Sequence, residues 1–464
     1  VVIAKPSSLG LSGVSRVLAS VELQRDLVLV GGGHSHVLVL RMLAMLPIAG
    51  LRITLVSPAS HSPYSGMLPG LIAGHYTFEQ THIDLARLCQ WAGVRFISAA
   101  AVALDPLSRR LSLDGRPSLS YDVISIDIGS QPELDSVPGA REYATPGKPV
   151  SALWQHWQAS QQRANAQKGA EVYCIAVVGG GAGSVELALA ISHRLQGKSL
   201  VLDLWCGGST ILQNYNSRAR RAVMAALQRQ GVRVHVDARV SEVEQRALCF
   251  ADGTRAAYDE LFWCTGASAV PWIAASGLAT DEQGFIAVRD TLQAISHDTI
   301  FAAGDIATQV NHPRPKAGVF AVRQAPVLAH NLRAMLLETP LRRYRPQRRF
   351  LSLISLGDKR ATAENGPFSV TGSWVWRWKD RIDRAFMARF ASLPVNMTVT
   401  PSYRLPSSEA ASVQPVCGGC GAKVGADALT GALAQLQQDY PQHCPGAADD
   451  AVVVPAPAGT LVLQ

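Results

Sequence analysis

Two short stretches of the chain have the residue types and spacing to hold a phosphate. Gly31-Gly32-Gly33-His34-Ser35-His36 follows the apolar run Asp26-Leu27-Val28-Leu29-Val30 and leads into apolar helical text to about Leu46. Gly179-Gly180-Gly181-Ala182-Gly183-Ser184 follows Ile175-Ala176-Val177-Val178 and leads into Val185-Glu186-Leu187-Ala188-Leu189-Ala190. A glycine turn between strand and helix lets phosphate oxygens reach backbone N–H groups and the positive end of the helix. Gly31 and Gly33 fill the first two demanding positions of such a turn. Gly179 and Gly181 fill them again. His36 and Ser184 stand where a third glycine is usual. Ser184 is a small change, whereas His36 implies a wider helix–sheet gap or a displaced helix start. Either turn alone also reads as a plain structural turn. The repetition argues for two nucleotide sites.

An acidic residue normally ends the second strand of such a unit and meets the adenosine ribose. Here Ser57-Pro58 follows Val56, so a hydroxyl or backbone group takes that place. In the second unit Cys206-Gly207-Gly208 follows Trp205, with neither a carboxylate nor an arginine. The choice between NADH and NADPH is therefore open, as is loss of effective nucleotide binding. The segment His61–Gly70 contains no cysteine, so no redox-active disulfide can form within it. Near the other end, Cys417-Gly418-Gly419-Cys420-Gly421-Ala422-Lys423 carries a Cys-x-x-Cys pair. That spacing suits a redox dithiol, half a zinc site or an incidental pair on a glycine tail.

These residues need elements to hold them. The chain has 464 residues, a formal charge of +8 and 48% hydrophobic residues. That length exceeds one core, and the apolar fraction excludes a disordered chain. No apolar run of about 20 residues reads as a spanning helix. The cysteines before residue 400 are scattered singly, as buried thiols are, and no disulfide framework appears. A reducing compartment is expected, and no signal-peptide text precedes the first strand. The chain starts at Val1 and reads as a fragment. The order strand, glycine turn, helix, strand occurs twice, and each copy carries an Asp-Gly turn, Asp114-Gly115 and Asp252-Gly253. In each copy an apolar strand then ends in glycine, Gly129 and Gly266. Phe301-Ala302-Ala303-Gly304-Asp305-Ile306 is a further strand with a Gly-Asp turn, and Val319 to Leu336 has helical periodicity. Trp374 to Phe390 reads as an aromatic and basic helix.

The paired turns and the Gly304-Asp305 turn resemble the two-dinucleotide-binding-domain flavoproteins, in particular the type II NADH dehydrogenase and sulfide:quinone oxidoreductase group. The resemblance covers roughly residues 25–390. It implies an α/β fold of two Rossmann-like domains, one for FAD and one for NAD(P)H, with a C-terminal α+β extension. The expected divisions are a first FAD-binding part at 25–165, an NAD(P)-binding domain at 166–290 and a second FAD-binding part at 291–338. A C-terminal region at 339–395 and a linker at 396–416 follow. The implied cofactor-binding residues are Gly31, Gly33, His36, Ser57, Tyr64, Gly129, Gly179, Gly181, Gly183, Ser184, Gly266, Gly304, Asp305 and Gly318. Asp305 corresponds to the family's aspartate on the ribityl chain. Glu186 and Gln324 correspond to catalytic groups near the flavin, although either also reads as an ordinary interface or helix-surface residue.

Residues 417–464 resemble the beginning of selenophosphate synthetase (selenide, water dikinase). Cys420 and Lys423 match its mobile catalytic segment. Asp450, in Ala448-Asp449-Asp450-Ala451, matches a Mg–ATP ligand, and vicinal carboxylates suit Mg²⁺ on polyphosphate. Mg-ATP binding is expected only in a complete kinase domain, of which this is a truncated N-terminus. The implied function is an FAD-dependent NAD(P)H oxidoreductase serving selenophosphate synthesis, cytoplasmic, with a small-molecule acceptor. The acceptor is a quinone, a selenium species or a protein disulfide. The alternatives are a quinone reductase peripheral at the inner face of a membrane and a noncatalytic flavoprotein scaffold. Homodimerisation is open. The arginines around Tyr344 lack a nucleic-acid reading motif, so no nucleic-acid partner is expected.

Overall fold

The computed structural model describes residues 25–166, 172–394 and 401–406, and the backbone of the strands Val452–Ala456 and Gly459–Leu463. Those last two strands pair antiparallel and belong to a second unit, apart from the one that holds residues 24–406.

The principal elements follow the repeated plan of the sequence. β1 (Arg25–Val30) leads through the first glycine turn into α1 (His34–Met45), β2 (Leu51–Ser57), β3 (Arg95–Ser98) and β4 (Val123–Ile126). β5 (Thr145–Pro146) and α2 (Val150–Ala166) precede β6 (Tyr173–Val178), which enters α3 (Ala182–Arg194) through the second glycine turn. β7 (Leu200–Trp205), α4 (Ser217–Arg229), β8 (Val232–His235) and β9 (Glu260–Trp263) complete that unit. β10 (Ile300–Ala302) and α5 (Gly318–Leu336) follow. β11 (Ser352–Ser355), β12 (Ala361–Asn365), β13 (Phe368–Gly372) and α6 (Ser373–Ala391) form the C-terminal region.

Two five-stranded parallel sheets result, in the orders β10-β4-β1-β2-β3 and β5-β9-β6-β7-β8. Parallel strands are covered on both faces, and β1 shows why its run is continuously apolar. Leu27 and Leu29 pack with α1 and α5 on one side; Val28 and Val30 pack with Leu111, Phe285 and Ile300 on the other. Each such buried side chain contributes about 1.5–3 kcal/mol. Both Asp-Gly turns join antiparallel strands, with Gly115 at φ +61° and Gly253 at φ +84°. Glycine reaches that backbone region without the Cβ clash of other residues.

The unit boundaries differ from those expected. β5 pairs with β9, and Leu153 and Trp157 of α2 share a core with Ile175 and Phe262. The second unit therefore opens near residue 145, not 166. At its other end, Phe285, Ile286 and Val288 pack with Val28 and Ile300, so it closes before 285, not at 290. A two-residue strand leaves almost no periodic signal, which is why β5 was invisible in the sequence. Among the described residues, no helix is long and apolar enough to cross a membrane.

Candidate functional site

The first glycine turn is built around a residue outside the motif. Asp127 follows β4, and its Oδ2 accepts the N–H groups of Ser35 at 2.9 Å and His36 at 3.1 Å. α1 has no side-chain cap of its own, so this carboxylate satisfies two of its orphan donors. A Cβ at Gly33 or at Gly304 would overlap that carboxylate, which explains both glycines at once. Burial pushes the Asp127 carboxyl up to about 7, against the pull of the two N–H groups.

His36 does not face a phosphate. It is fully buried, with ring nitrogens 2.7 Å from the Gly31 carbonyl and 2.8 Å from Ser125 Oγ. Burial lowers it to about 4, so the imidazole is neutral. It fills the space between α1 and the sheet, the wide gap that the missing third glycine implied. Ser57 is similarly engaged, since its hydroxyl donates to the Ala59 carbonyl at 3.0 Å. The ribose contact assigned to that hydroxyl is not supported by its direction.

Asp305 lies in the short turn after β10. Its Oδ2 accepts Lys148 Nζ at 2.7 Å and faces Ser130 Oγ at 3.4 Å. Gln324, on α5, has one amide atom engaged in the fold: its Oε1 accepts the Gly304 N–H at 2.7 Å. It positions the Gly304-Asp305 turn, and Gly304 has φ +68°. The N-terminus of α5 has no side-chain cap at Ala317, and the open side of Gly318 looks toward His34 Nδ1 and Ser65 Oγ. His34 is half-buried, and its enclosed Nε2 has no side-chain partner among the described residues.

A cavity of about 230 Å³ opens beside these groups, lined by Ser65, Ser130, Lys148, Glu186, Cys264 and Gly266 among others. Glu186 enters it from α3. Its Oε1 accepts the Ser355 N–H at 2.7 Å, and burial raises its carboxyl to about 7, with Lys379 pulling the other way. Burial pushes the Cys264 thiol up to about 12, so it is not a ready nucleophile. Gly129 has φ +74° and open space on its side-chain face. Tyr64 stacks on Phe386 at 4.6 Å, and its hydroxyl donates to Asp383 at 3.1 Å. Asp383 also takes Lys379 Nζ at 2.6 Å, and Lys379 donates to the Gly66 carbonyl. This buried pair on α6, together with Asp127, His34 and Lys148, was missed in the sequence.

In the second turn Gly181 and Gly183 have nothing within 4 Å of their side-chain faces. Gly179, at φ +139°, abuts the Cys264 carbonyl, and Ser184 Oγ closes the helix start on the Gly181 carbonyl at 2.8 Å. Cys206 is buried against Gly180, Trp205 stacks on His235 at 3.7 Å, and Gly207 lies beside Arg239. Asp203 is tied to Arg233 and His235. Cys420, Lys423 and Asp450 lie outside the described residues.

The donor set fits a flavin dinucleotide at the first turn. The α5 start has no side-chain cap, the Asp305 carboxylate lies in the turn after β10, and Lys148, which pairs with it, also lines the cavity. The open faces of Gly181 and Gly183 fit a second dinucleotide.

Comparison with known proteins agrees. A demethylphylloquinone reductase of Synechocystis is 28% identical over 277 residues, 56% of this chain and 67% of that one. An NADH dehydrogenase-like protein of Mycobacterium tuberculosis is 26% identical over 47% of this chain and 56% of its own length. The match thus spans two thirds of the first relative and little more than half of the second. The sulfide:quinone oxidoreductase structure from Aquifex aeolicus superposes with a TM-score of 0.65 at 18% identity, covering 79% of this chain and 91% of that one. The two parallel sheets are therefore those of an α/β flavoprotein fold. Residues 25–325 match the pyridine nucleotide-disulphide oxidoreductase family, and the match leaves 417–464 outside. This chain belongs to the pyridine nucleotide-disulphide oxidoreductase family and is a flavin-dependent NAD(P)H oxidoreductase.

Proposed function

We propose that this chain passes electrons from NAD(P)H through FAD to a quinone at a membrane surface. The bound flavin would supply the hydride acceptance and the onward electron release. The chain's own residues do the positioning. Gly181 and Gly183 leave room for the nicotinamide cofactor's diphosphate, and Asp305 is an acceptor for ribityl hydroxyls. The uncapped start of α5 lays positive potential beside the flavin. Glu186, with its carboxyl near 7, can give or take a proton at neutral pH.

The observation that carries this reading is the cavity where Lys148, Glu186 and Gly266 meet Gly183 of the second glycine turn. The quinone is favoured over a selenium species because a relative is a quinone reductase by name and the family match stops at residue 325. The selenophosphate link rests on the resemblance of 417–464 alone. The membrane surface is favoured by α6. Trp374, Trp378 and Ile382 recur every fourth residue and are 51%, 41% and 41% exposed. Arg377 and Arg381 are exposed beside them, as on an interfacial helix.

An anaerobic test separates the parts. FAD-loaded protein should bleach on addition of NADH or NADPH, and a quinone should restore the colour. Both donors are tried because no carboxylate follows β7. Bleaching by neither donor would leave a scaffold, and colour returning only with a selenium species would displace the quinone.

A further inference from the structure

We propose that Lys148 is a positioning residue of the flavin site. Its ammonium group fixes the Asp305 carboxylate and so ties the hold on FAD to the placement of the second unit. The proposal rests on the flavin reading above and deepens it.

The backbone before Lys148 belongs to the second unit. Thr145 and Pro146 pair with Phe262 and Trp263 of β9, and the Gly147 N–H donates to the Trp263 carbonyl at 2.8 Å. Asp305 belongs to the first unit, in the short turn after β10, which pairs with β4. The 2.7 Å contact from Lys148 Nζ to Asp305 Oδ2 therefore crosses from one unit to the other. A second contact runs beside it. Lys148 Nζ donates to Ser130 Oγ at 3.1 Å, and Ser130 Oγ faces the same Oδ2 at 3.4 Å. Ser130 and Lys148 stand at the two ends of the passage from the first unit into the second. They meet at one carboxylate oxygen.

That arrangement leaves the other oxygen for a ligand. Asp305 Oδ1 takes no hydrogen bond among the described residues. With Oδ2 held, Oδ1 is offered in one direction, and a side chain ordered beforehand spares a ligand the cost of ordering it. The two side chains are 42% and 17% exposed, and an ion pair so placed adds little to fold stability. Its effect is on position more than on stability. Lys148 also lines the cavity of about 230 Å³ with Glu186 and Gly266. Its positive charge there offsets the Asp305 carboxylate, which unpaired would oppose the negative charge of a reduced flavin.

The test combines FAD affinity with the potential of the bound flavin. Lys148→Met keeps the length of the side chain and removes its charge and donors. In fluorescence titration of flavin-depleted protein, its FAD affinity should fall by about 3- to 10-fold, the cost of one side chain left unordered. Lys148→Arg keeps charge and donors and should stay within about threefold of wild type. The midpoint potential of the FAD-loaded Met variant, measured against reference dyes, should be more negative than that of wild type. The melting temperature of its flavin-depleted form should match wild type, because the pair is half in solvent. On an Asp305→Asn background, Lys148→Met should cost less than about twofold, since no carboxylate is left to hold. Lys148→Gln replaces Lys148→Met if the latter does not fold, with the same expectations. FAD affinity within about twofold of wild type, or tighter, would overturn the proposal, as would an unchanged potential. A lowered melting temperature would assign the lysine to the fold, and a full loss on the Asn background would mean that it does not act through Asp305; either overturns it. A wild-type chain that binds no FAD would instead overturn the flavin reading itself.

Discussion

The Asp127 carboxylate accepts the Ser35 backbone N–H at 2.9 Å, so the residue just after β4 caps the first turn of a helix across 92 positions of sequence. Removing that cap has a defined cost. Asp127→Ala should lower unfolding free energy by about 1–3 kcal/mol, and Asp127→Asn by less, because the amide oxygen still accepts. Urea denaturation checks both, and an Asp127→Ala variant as stable as wild type would remove the capping role.

The same carboxyl gives stability a pH dependence. Its folded value, about 7, lies above the ordinary 3.8. The folded state then holds its proton more tightly than the unfolded chain. This contribution is full below about 4 and is lost as pH rises through 7. His34 and His36, both lowered to about 4, act oppositely and weaken the fold as pH falls below 6.5. Comparing wild type with Asp127→Asn at pH 5 and pH 8 isolates the carboxyl. The Asn variant should gain relative stability at pH 8, and a constant difference between the two proteins would contradict this.

The Lys379–Asp383 pair makes a second stability prediction. Both side chains are buried, 10% and 6% exposed, and they bridge α6 to Tyr64 and the Gly66 carbonyl. Breaking a buried pair leaves an uncompensated charge and costs about 3–5 kcal/mol. Lys379→Met alone should therefore be more damaging than Lys379→Met combined with Asp383→Leu. Thermal or urea unfolding of the single and double variants decides it. Equal damage would mean that the pair does not act as a unit.

What the sequence made legible was local. The glycine turns, both Asp-Gly turns and the Gly304-Asp305 turn depend on residues within a few positions of one another. Their backbone demands appear in the text. The residues that were missed act across long separations: Asp127 on Ser35, Lys148 on Asp305, Lys379 on Gly66. No periodicity links such partners. The positioning part of Gln324 was hidden for a related reason. A polar residue in an apolar helix looks free to meet a ligand, and only its 2.7 Å contact with the Gly304 N–H shows that its oxygen is taken. His36 carried a real signal, because a large side chain in a glycine position must find room. The text could not say that the room lay under the helix.

Glu186 gives a catalytic prediction. It lines the cavity, and Ser355 donates to one oxygen, leaving the other for a proton. Glu186→Gln retains the acceptor and removes the titration. Quinone turnover should fall by about tenfold or more, with the NAD(P)H KM changed by less than about twofold. The pH–rate profile of the wild type should bend near 7, and the variant's should not. An unaltered bend would assign it to another group.

The exposed stripe on α6 gives the last prediction. Val375, Lys379, Asp383 and Phe386 face inward, while Trp374, Trp378 and Ile382 face out. Phe368 and Val370, on the neighbouring β13, are 77% and 48% exposed. Exposed apolar side chains gathered on adjoining elements with arginines among them suit the headgroup boundary of a bilayer. Trp374→Ala with Trp378→Ala removes two indoles that touch little of the core, so the melting temperature should hold. Binding to anionic vesicles in a sedimentation assay should fall at least about tenfold, since each buried aromatic side chain contributes about 1.5–3 kcal/mol. Added salt should weaken wild-type binding through the arginines. Reduction of a water-soluble quinone should be unaffected, whereas reduction of a quinone dissolved in vesicles should slow. Equal sedimentation of wild type and variant would take the membrane away from this face, and loss of the water-soluble activity would show that the two tryptophans serve the site and not the surface.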